Sequence, residues 1–267
     1  MRIALAGKGG AGKTTISATL ARTLARGGWP VVGIDADSNP NLSLALGVDR
    51  ETAAQVGGMP TALVSRRLGG TALTTTVDDA LEQHATLAPD GVRVVLMGMP
   101  AHADEGCLCS AHAVVGALLG DLGMRREIAT IMDMEASPEH LSRGTARHVD
   151  QLLLVTEPYY RSLETARRMA VLAEELQIPR VAVLGNKVRS EGDAEAIGAF
   201  CERHSLELAA YVPWSDAVTE ADSAGTPLIE QAPDGPAAQA VAALARSLQE
   251  YDEAHGSHAV REEVDAR

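Results

Sequence analysis

A glycine-rich segment near the start of the chain carries the residues best suited to hold a phosphate group. The segment GKGGAGKT at positions 7–14 fits the pattern G-x-x-x-x-G-K-[ST], follows an apolar run and opens a helical pattern. Its glycines let backbone N–H groups turn inward, and the following helix adds the positive end of its dipole. Lys13 suits the β- and γ-phosphates and the Thr14 hydroxyl suits Mg²⁺. The segment therefore predicts a nucleotide-binding loop rather than an incidental turn, with contacts from Gly9, Gly10, Ala11, Gly12, Lys13, Thr14 and Thr15.

Carboxylates follow two later apolar runs. The segment DADSNPNL at 35–42 places Asp35 and Asp37 on one face if the chain stays extended. An Asx-rich turn with a helix cap is the alternative interpretation of this segment. Asp133 ends the apolar run 128–133, as in a Walker B motif, whose carboxylate holds Mg²⁺ directly or through water. Asp133 is therefore a predicted magnesium ligand beside Thr14.

The segment VAVLGNKVR at 181–189 indicates which base the nucleotide carries. An asparagine amide such as that of Asn186 can donate to adenine N7 and accept from its N6 amine. Guanine-specific GTPases have N-K-x-D here, and that carboxylate accepts from the guanine N1–H and N2 amine. Because Arg189 takes the fourth place, the segment favours ATP over GTP. The alternative is that Asn186 only caps a turn.

Two cysteines form a C-x-C pair between a predicted strand and a predicted helix. In an extended segment Cys107 and Cys109 point to the same side, and a disulfide between them would be strained and reducible. Two thiolates are half of a four-ligand metal site, and a two-fold axis would let a second copy of the chain complete it. Thiolates suit both Ni²⁺ and Zn²⁺, so the sequence predicts one or the other. The alternative is a pair of small buried apolar residues.

Other possible ligands lie near the pair. His102, Asp104 and His112 are close in sequence, and we expect each of them at the surface. Cys201 falls in a helical pattern and is expected in the core.

Short apolar runs alternate with longer helical patterns along the chain. The predicted strands are Ile3–Ala6, Val31–Ile34, Val92–Met97, Ile128–Met132, Leu152–Thr156, Val181–Leu184 and Leu208–Val212. The predicted helices are Lys13–Arg26, His112–Leu122, Leu163–Leu176, Asp193–His204 and Ala237–Leu248. Continuous apolar runs are typical of parallel strands that are covered on both faces. We therefore predict an α/β fold, a mostly parallel twisted β-sheet with helices on both faces.

One P-loop and no internal repeat indicate a single ATPase domain over residues 1–250. The stretch 51–87 mixes Gly, Thr and Ala and has the weakest pattern, as in a family-specific insertion. The acidic tail 251–267 has little apolar content and is expected to be frayed or disordered.

Composition excludes several function classes. Of 267 residues, 46% are hydrophobic, which allows a large core, and the formal net charge of −13 repels phosphate backbones and anionic lipids. No stretch approaches the roughly 20 apolar residues that span a bilayer. We therefore expect a cytoplasmic protein that binds neither nucleic acid nor membranes stably. Three cysteines do not make a disulfide framework there.

Two segments resemble one class of P-loop ATPases. The stretch KGGAGKTT at 8–15, with its additional Lys8, resembles the deviant Walker A motif of the MinD/ParA/nitrogenase iron protein class. The stretch DMEASPEHLSRGT at 133–145 is similar to the D-M-E-A-G-x-E-H-x-x-R-G-T signature of one branch, the CooC-type nickel-insertion ATPases that mature carbon monoxide dehydrogenase. Ser137 replaces the glycine of that signature. The segment corresponds to the switch II region of the class, and a glycine hinge there would be freer than this Ser-Pro pair.

The resemblance implies a magnesium-dependent ATPase that works as an ATP-sandwich homodimer. In this class the additional lysine, here Lys8, reaches the nucleotide of the partner, as an arginine finger does. By the same match Asp37 positions or activates the attacking water, and Asp35 supports the magnesium shell. Pro213 and Trp214 form the other side of the base pocket. The nickel-insertion branch also carries a C-x-C between the P-loop and this switch, which implies a metallochaperone for a client metalloenzyme apoprotein.

Two other functions of the same class remain as alternatives. A positioning or partition ATPase would bind membrane or DNA, but the tail is acidic and the net charge is negative. Electron transfer through an iron–sulfur cluster that bridges a dimer would need two cysteines far apart in sequence, unlike this C-x-C.

Overall fold

A parallel β-sheet forms the centre of the molecule. The structure is a computed structural model and describes residues 1–67, 70–98, 109–136, 141 and 144–265. Its strands are β1 Arg2–Gly7, β2 Val31–Ala36, β3 Val64–Arg67, β4 Gly70–Leu73, β5 Thr86–Leu87, β6 Arg93–Leu96, β7 Ala129–Met134, β8 Gln151–Thr156, β9 Arg180–Val188 and β10 Glu207–Pro213. The main sheet has the order β10-β9-β8-β1-β7-β2-β6-β5, and every pairing in it is parallel except that of β5 with β6.

Helices follow the strands and cover both faces of the sheet. They are α1 Lys13–Arg26, α2 Leu42–Leu46, α3 Arg50–Gln55, α4 Val77–His84, α5 Cys109–Leu122, α6 Tyr160–Glu175, α7 Glu191–Arg203, α8 Asp216–Ala224, α9 Leu228–Gln231 and α10 Pro236–Asp265. Two hydrophobic clusters result, one on each side of the sheet. Strands β7 and β8 are buried along their whole length, as the continuous apolar runs predict. The predicted fold class is therefore confirmed.

All seven predicted strands and five predicted helices are present, with ends shifted by a few residues except at the last helix, which continues well past Leu248. The exceptions lie where the periodicity is weak. The stretch 51–87 contains α3, the antiparallel hairpin β3–β4, α4 and the edge strand β5. Helix α5 begins three residues earlier than expected, at Cys109.

Helix α10 continues to Asp265, through part of the tail expected to be frayed. At its middle, Tyr251 lies under the Arg180 guanidinium, 4.4 Å from ring centroid to Cζ, and stacks on His255. Arg180 also donates to Gln151 Oε1 at 2.8 Å, which fastens this helix to the sheet edge. Within the described ranges, no helix combines the length and the apolar character needed to cross a membrane.

Strand order determines where a site can form. The P-loop follows β1, which lies between β7 and β8 in the middle of the sheet. From β1 the chain crosses to β2 on one side, whereas from β7 it passes β1 to reach β8 on the other side. This reversal of strand order makes the edge a topological switch point, where α/β proteins bind ligands. The loops after β2, β7, β8 and β9 open at the same edge, because the strands are parallel.

Candidate functional site

The P-loop is a tight turn that requires its glycines. Ala11 N donates to Lys8 O at 3.1 Å and closes the turn. Gly10 and Gly12 have φ values of 80° and 95°, which L side chains rarely adopt. A Cβ on Gly12 would also collide with the amide of Asn186. The loop thus leads directly into α1, whose first turn is open to a phosphate.

Two buried carboxylates lie side by side under this loop. Asp35 and Asp133 are register partners on β2 and β7, and they are 0% and 2% exposed. Burial raises the pKa of Asp35 to about 6 and, with the nearby charge of Asp35 as a further cause, the pKa of Asp133 to about 7. Ser17 Oγ donates to Asp133 Oδ1 at 3.2 Å, and Thr14 also hydrogen-bonds Asp133. Hydroxyl and carboxylate oxygens are a donor set that fits Mg²⁺.

Lys13 is buried in the same place. Lys13 is 6% exposed. Desolvation lowers the pKa of its ammonium group and outweighs the nearby negative charges of Asp133, Asp37 and Glu135, which raise it. A buried ammonium beside buried carboxylates is a charged arrangement that an incoming magnesium–nucleotide complex complements.

The loop after β2 forms the Asx turn that the sequence offered as an alternative. Asp35 Oδ1 accepts from Asp37 N at 3.1 Å, and Asp35 Oδ2 accepts from Leu42 N at 2.8 Å, at the start of α2. Asp37 Oδ1 accepts from Asn39 N at 2.8 Å, and Asp37 is half-buried. The turn holds Asp37 near Lys13, so the structural and the functional interpretations of this segment are compatible.

A cavity of about 310 Å³ lies beside the P-loop and has the position expected of a base pocket. Its walls include Gly12, Thr15, Asn186, Pro213 and Trp214. Asn186 is buried, and its Nδ2 donates to Ala11 O at 2.6 Å, so part of its amide is engaged with the loop.

The Trp214 ring is held from outside the pocket. Arg189 Cζ lies 3.9 Å from the ring centroid, and Trp214 Nε1 donates to Asp216 Oδ1 at 3.0 Å. Arg189, which takes the place of the GTPase carboxylate, therefore supports the indole that lines the cavity.

Sequence reasoning missed a third lysine of the site. The chain has three lysines, Lys8, Lys13 and Lys187, and all three lie at the P-loop. Lys187 Nζ donates to Gly10 O at 2.6 Å and to Glu157 Oε1 at 2.9 Å. Glu157, on the loop after β8, was missed as well. The rarity of lysine was an available signal: apart from the two P-loop lysines, Lys187 is the one lysine in a sequence that otherwise has arginine, and it directly follows Asn186.

The cysteine region differs from the prediction. Cys109 is exposed and is the first residue of α5. The prediction of an extended backbone is therefore wrong at this residue. It is disulfide-bonded in the structure, so the thiolate that a metal requires exists only after reduction. Cys107, His102, Asp104 and Ser137 lie outside the described residues. In the parts of the chain that are described, no three His, Cys, Asp or Glu side chains group around a metal-sized space.

His112 was expected at the surface, and this is wrong. It is 6% exposed, and its Nδ1 shares a hydrogen bond of 2.9 Å with Thr145 Oγ1. Both residues line a second cavity, of about 350 Å³, together with Cys109, Arg147 and His148. Little in the sequence indicates that His112 is buried, because its hydrogen-bond partner lies 33 residues away. Cys201 is 2% exposed, and its predicted place in the core is confirmed.

The fold and this arrangement of P-loop, carboxylates and asparagine define a nucleotide-binding ATPase, and comparison with known proteins identifies its family. Residues 3–228 match the CobQ/CobB/MinD/ParA nucleotide binding domain, and the chain belongs to this family. It is 38% identical to the carbon monoxide dehydrogenase accessory protein CooC of Rhodospirillum rubrum, over 87% of this chain and 91% of that protein. It is 36% identical to an uncharacterized ATP-binding protein of Methanocaldococcus jannaschii, over 85% and 91% of the two chains.

Solved structures show the same fold. The MinD cell division protein of Aquifex aeolicus superposes with a TM-score of 0.70, at 19% identity, over 93% of this chain and 96% of that one. The predicted resemblance to the MinD/ParA class, and the prediction of an ATPase, are therefore confirmed.

Proposed function

We propose that this chain is an ATP-hydrolysing homodimeric metallochaperone, a CooC-like nickel-insertion ATPase that serves the maturation of a metalloenzyme such as carbon monoxide dehydrogenase. The observation that carries the proposal is the 38% identity to the carbon monoxide dehydrogenase accessory protein CooC over most of both chains. The exposed Cys109 at the start of a helix is consistent with it. The client is an apoprotein in the cytoplasm.

At the nucleotide, the proposal divides the work among residues that lie together. Lys13 binds the β- and γ-phosphates, and the N–H groups of the loop accommodate their oxygens. Thr14 and Asp133 hold Mg²⁺, which neutralises phosphate charge, and Asp35 supports that shell through its bonds to the loop after β2. Asp37 orients the attacking water. Asn186, Pro213 and Trp214 recognise adenine.

Lys8 acts in trans in this proposal. The turn from Lys8 to Ala11 and the burial of Lys13 make Lys13 the cation that its own chain directs at the phosphates. A second copy that faces this edge supplies its Lys8, which stabilises the charge that develops on the transferred phosphoryl group. Closure of the dimer and hydrolysis are then linked.

The metal is cargo, held by Cys107 and Cys109 of both copies. Two thiolates of one chain leave Ni²⁺ or Zn²⁺ with open positions, and the second chain closes the shell. Helix α5 carries Cys109 at one end, and its His112 is bonded to Thr145, which follows the Asp133 strand. A change in nucleotide state at Asp133 therefore has a physical route to the cysteines, and metal and ATP favour each other's binding.

Titration of the reduced protein with Ni²⁺ and Zn²⁺, in the presence of ATPγS and Mg²⁺, tests the proposal. We expect one ion per two chains, with a doubled mass in light scattering. Both results are lost in Cys107→Ala/Cys109→Ala and kept in the matched control Cys201→Ala, whose cysteine lies in the core. One ion per chain without a change in mass, or binding that survives the double substitution, contradicts the metallochaperone and leaves an ATPase of the positioning type as the alternative.

A further inference from the structure

The lysine that should reach a partner chain is engaged within its own chain. Lys8 Nζ donates to Tyr159 Oη at 3.1 Å and lies 5.2 Å from the centroid of the Tyr159 ring. Both a hydrogen bond and a cation–π contact therefore hold the ammonium. Tyr159 comes from the loop after β8, beside the P-loop strand β1.

Tyr159 is itself connected to the phosphate loop. Its hydroxyl donates to Glu157 Oε2 at 2.8 Å. Glu157 Oε1 accepts from Lys187 Nζ at 2.9 Å, and Lys187 Nζ also donates to Gly10 O at 2.6 Å. The contacts thus run from Lys8 to Gly10, two residues further along the same loop, through three side chains. In this series each group donates to or accepts from the next with consistent hydrogen-bond roles.

The turn that carries Tyr159 is fixed. Glu157 N and Thr156 Oγ1 both donate to Ser162 Oγ, each at 3.0 Å, and Ser162 is buried. Ser162 N donates in turn to Tyr159 O at 2.9 Å. The tyrosine is therefore presented by a fixed connection between β8 and α6, whereas the residue stays 40% exposed.

We propose that Tyr159 is a positioning residue that holds Lys8 in cis in the nucleotide-free chain, and that Lys8 must leave it before the ATP-bound dimer can form. The inference rests on the trans role of Lys8 in the proposed function. One ammonium cannot satisfy Tyr159 and the phosphate of a partner together, so the contact opposes closure until nucleotide and partner outcompete it. Each of the two copies must release one lysine, so the free-energy cost of breaking the contact enters the dimerisation equilibrium twice.

Lysine acylation measures the contact without any dimer. The chain offers three lysines and its N-terminus, so mass spectrometry resolves every site after brief treatment of dilute, nucleotide-free protein with N-hydroxysuccinimide acetate. In Tyr159→Phe, which keeps the ring but loses the hydroxyl, Lys8 should react roughly two- to fivefold faster, the worth of one exposed hydrogen bond. Buried Lys13 should react at an unchanged rate. The matched control is Tyr160→Phe, at a neighbouring tyrosine that is 72% exposed.

Dimerisation with ATPγS and Mg²⁺ tests the consequence. The dissociation constant of the dimer should fall roughly four- to twenty-five-fold in Tyr159→Phe, the square of the effect per chain, and should stay unchanged in Tyr160→Phe. In a Lys8→Ala background, Tyr159→Phe should have no effect. An unchanged or higher dissociation constant, or the same decrease without Lys8, overturns the proposal.

The two measurements distinguish a failure of the proposed Lys8–Tyr159 contact from a failure of the proposed function. If the wild-type protein stays monomeric with ATPγS, the sandwich dimer is wrong, and the release step proposed here is wrong with it. If the protein dimerises but Lys8 reacts equally fast in wild type and Tyr159→Phe, the hold on Lys8 is wrong and the dimer stands.

Discussion

The nucleotide edge of the sheet and the start of helix α5, where we propose that the cargo metal binds, are built differently. At the nucleotide edge, Lys13, Asp35 and Asp133 are buried within one chain, and Ser17 and Thr14 bond to Asp133. At the start of α5, Cys109 is exposed, and its neighbour in the motif, Cys107, lies outside the described residues.

If the proposed function holds, this difference determines which of the two activities needs a second chain. Charged groups that are already desolvated and arranged around a phosphate-sized loop are preorganised, so one chain suffices to bind a nucleotide. In the proposed function, two thiolates of one chain leave a divalent ion with open positions, which a second chain has to fill. We therefore expect substitutions at the nucleotide edge to act in the monomer and substitutions at the cysteines to act only in the dimer.

The largest effect should follow Lys13→Ala. Removing the buried ammonium takes away the phosphate contact and leaves two carboxylates to repel the nucleotide, so we expect affinity for ATP to fall at least about 100-fold. A fluorescent ATP analogue measures this in dilute, monomeric protein. The control Cys107→Ala/Cys109→Ala should bind within about twofold of the wild type. Equal losses of ATP affinity in both variants would show that the cysteine region also contributes to nucleotide binding in the monomer, which contradicts the expectation.

Asp37→Ala should separate binding from turnover at the same edge. A carboxylate that orients water acts on the transition state, so we expect ATP affinity within a few-fold of wild type and a turnover number about 100-fold lower. Phosphate release at saturating ATP measures it. The control Asn39→Ala changes a neighbour that Asp37 contacts only through its backbone N–H. Turnover at the wild-type rate in Asp37→Ala would exclude this carboxylate from the reaction.

The buried carboxylates should make the empty nucleotide site a source of instability that depends on pH. Asp133 has a pKa of about 7 in the folded chain and about 4 when unfolded, so its folded form binds the proton more tightly. This contribution to stability is present below about pH 4 and is lost as the pH rises to 7. Asp133→Asn should therefore raise the free energy of unfolding by roughly 1–3 kcal/mol at pH 8 and by little at pH 4.5.

Urea unfolding of nucleotide-free protein at the two pH values is the measurement. The control is Asp234→Asn, at an exposed carboxylate, which should change neither value by more than about 0.5 kcal/mol. A gain of equal size at both pH values would mean that the substitution acts through packing rather than through ionisation.

The sequence predicted most where the chemistry is contiguous. The P-loop occupies eight successive residues, and the central strands are apolar on both faces, so local patterns were enough for both. The series Lys8–Tyr159–Glu157–Lys187 was not predictable in this way. It depends on β1, β8 and β9 being neighbours in the sheet, which only the strand order reveals.

His112 shows the same limit at the other region. A histidine beside a cysteine motif resembles a surface ligand, but Thr145 gives it a buried partner that no local pattern indicates. The short helix α2 was missed because it depends on tertiary contacts: its own Leu42 and Leu46 are fully buried.

The smallest expected effect tests whether the two regions communicate. Thr145→Val keeps the shape of the side chain and removes its hydrogen bond to His112, which joins α5 to the segment after Asp133. We expect a loss of about 1 kcal/mol in the free energy of unfolding. The matched control is Thr130→Val on β7, since the buried Thr130 hydroxyl has no partner among the described residues, and its removal should be neutral or stabilising.

The same pair of variants measures communication directly. In reduced protein, ATPγS should raise the affinity for Ni²⁺. The ratio of the Ni²⁺ affinities with and without ATPγS should be a few-fold smaller in Thr145→Val and unchanged in Thr130→Val. A loss of stability without any change in that ratio would make the His112–Thr145 bond purely structural. The nucleotide would then reach the cysteines by closing the dimer alone, and the two regions would be independent within one chain.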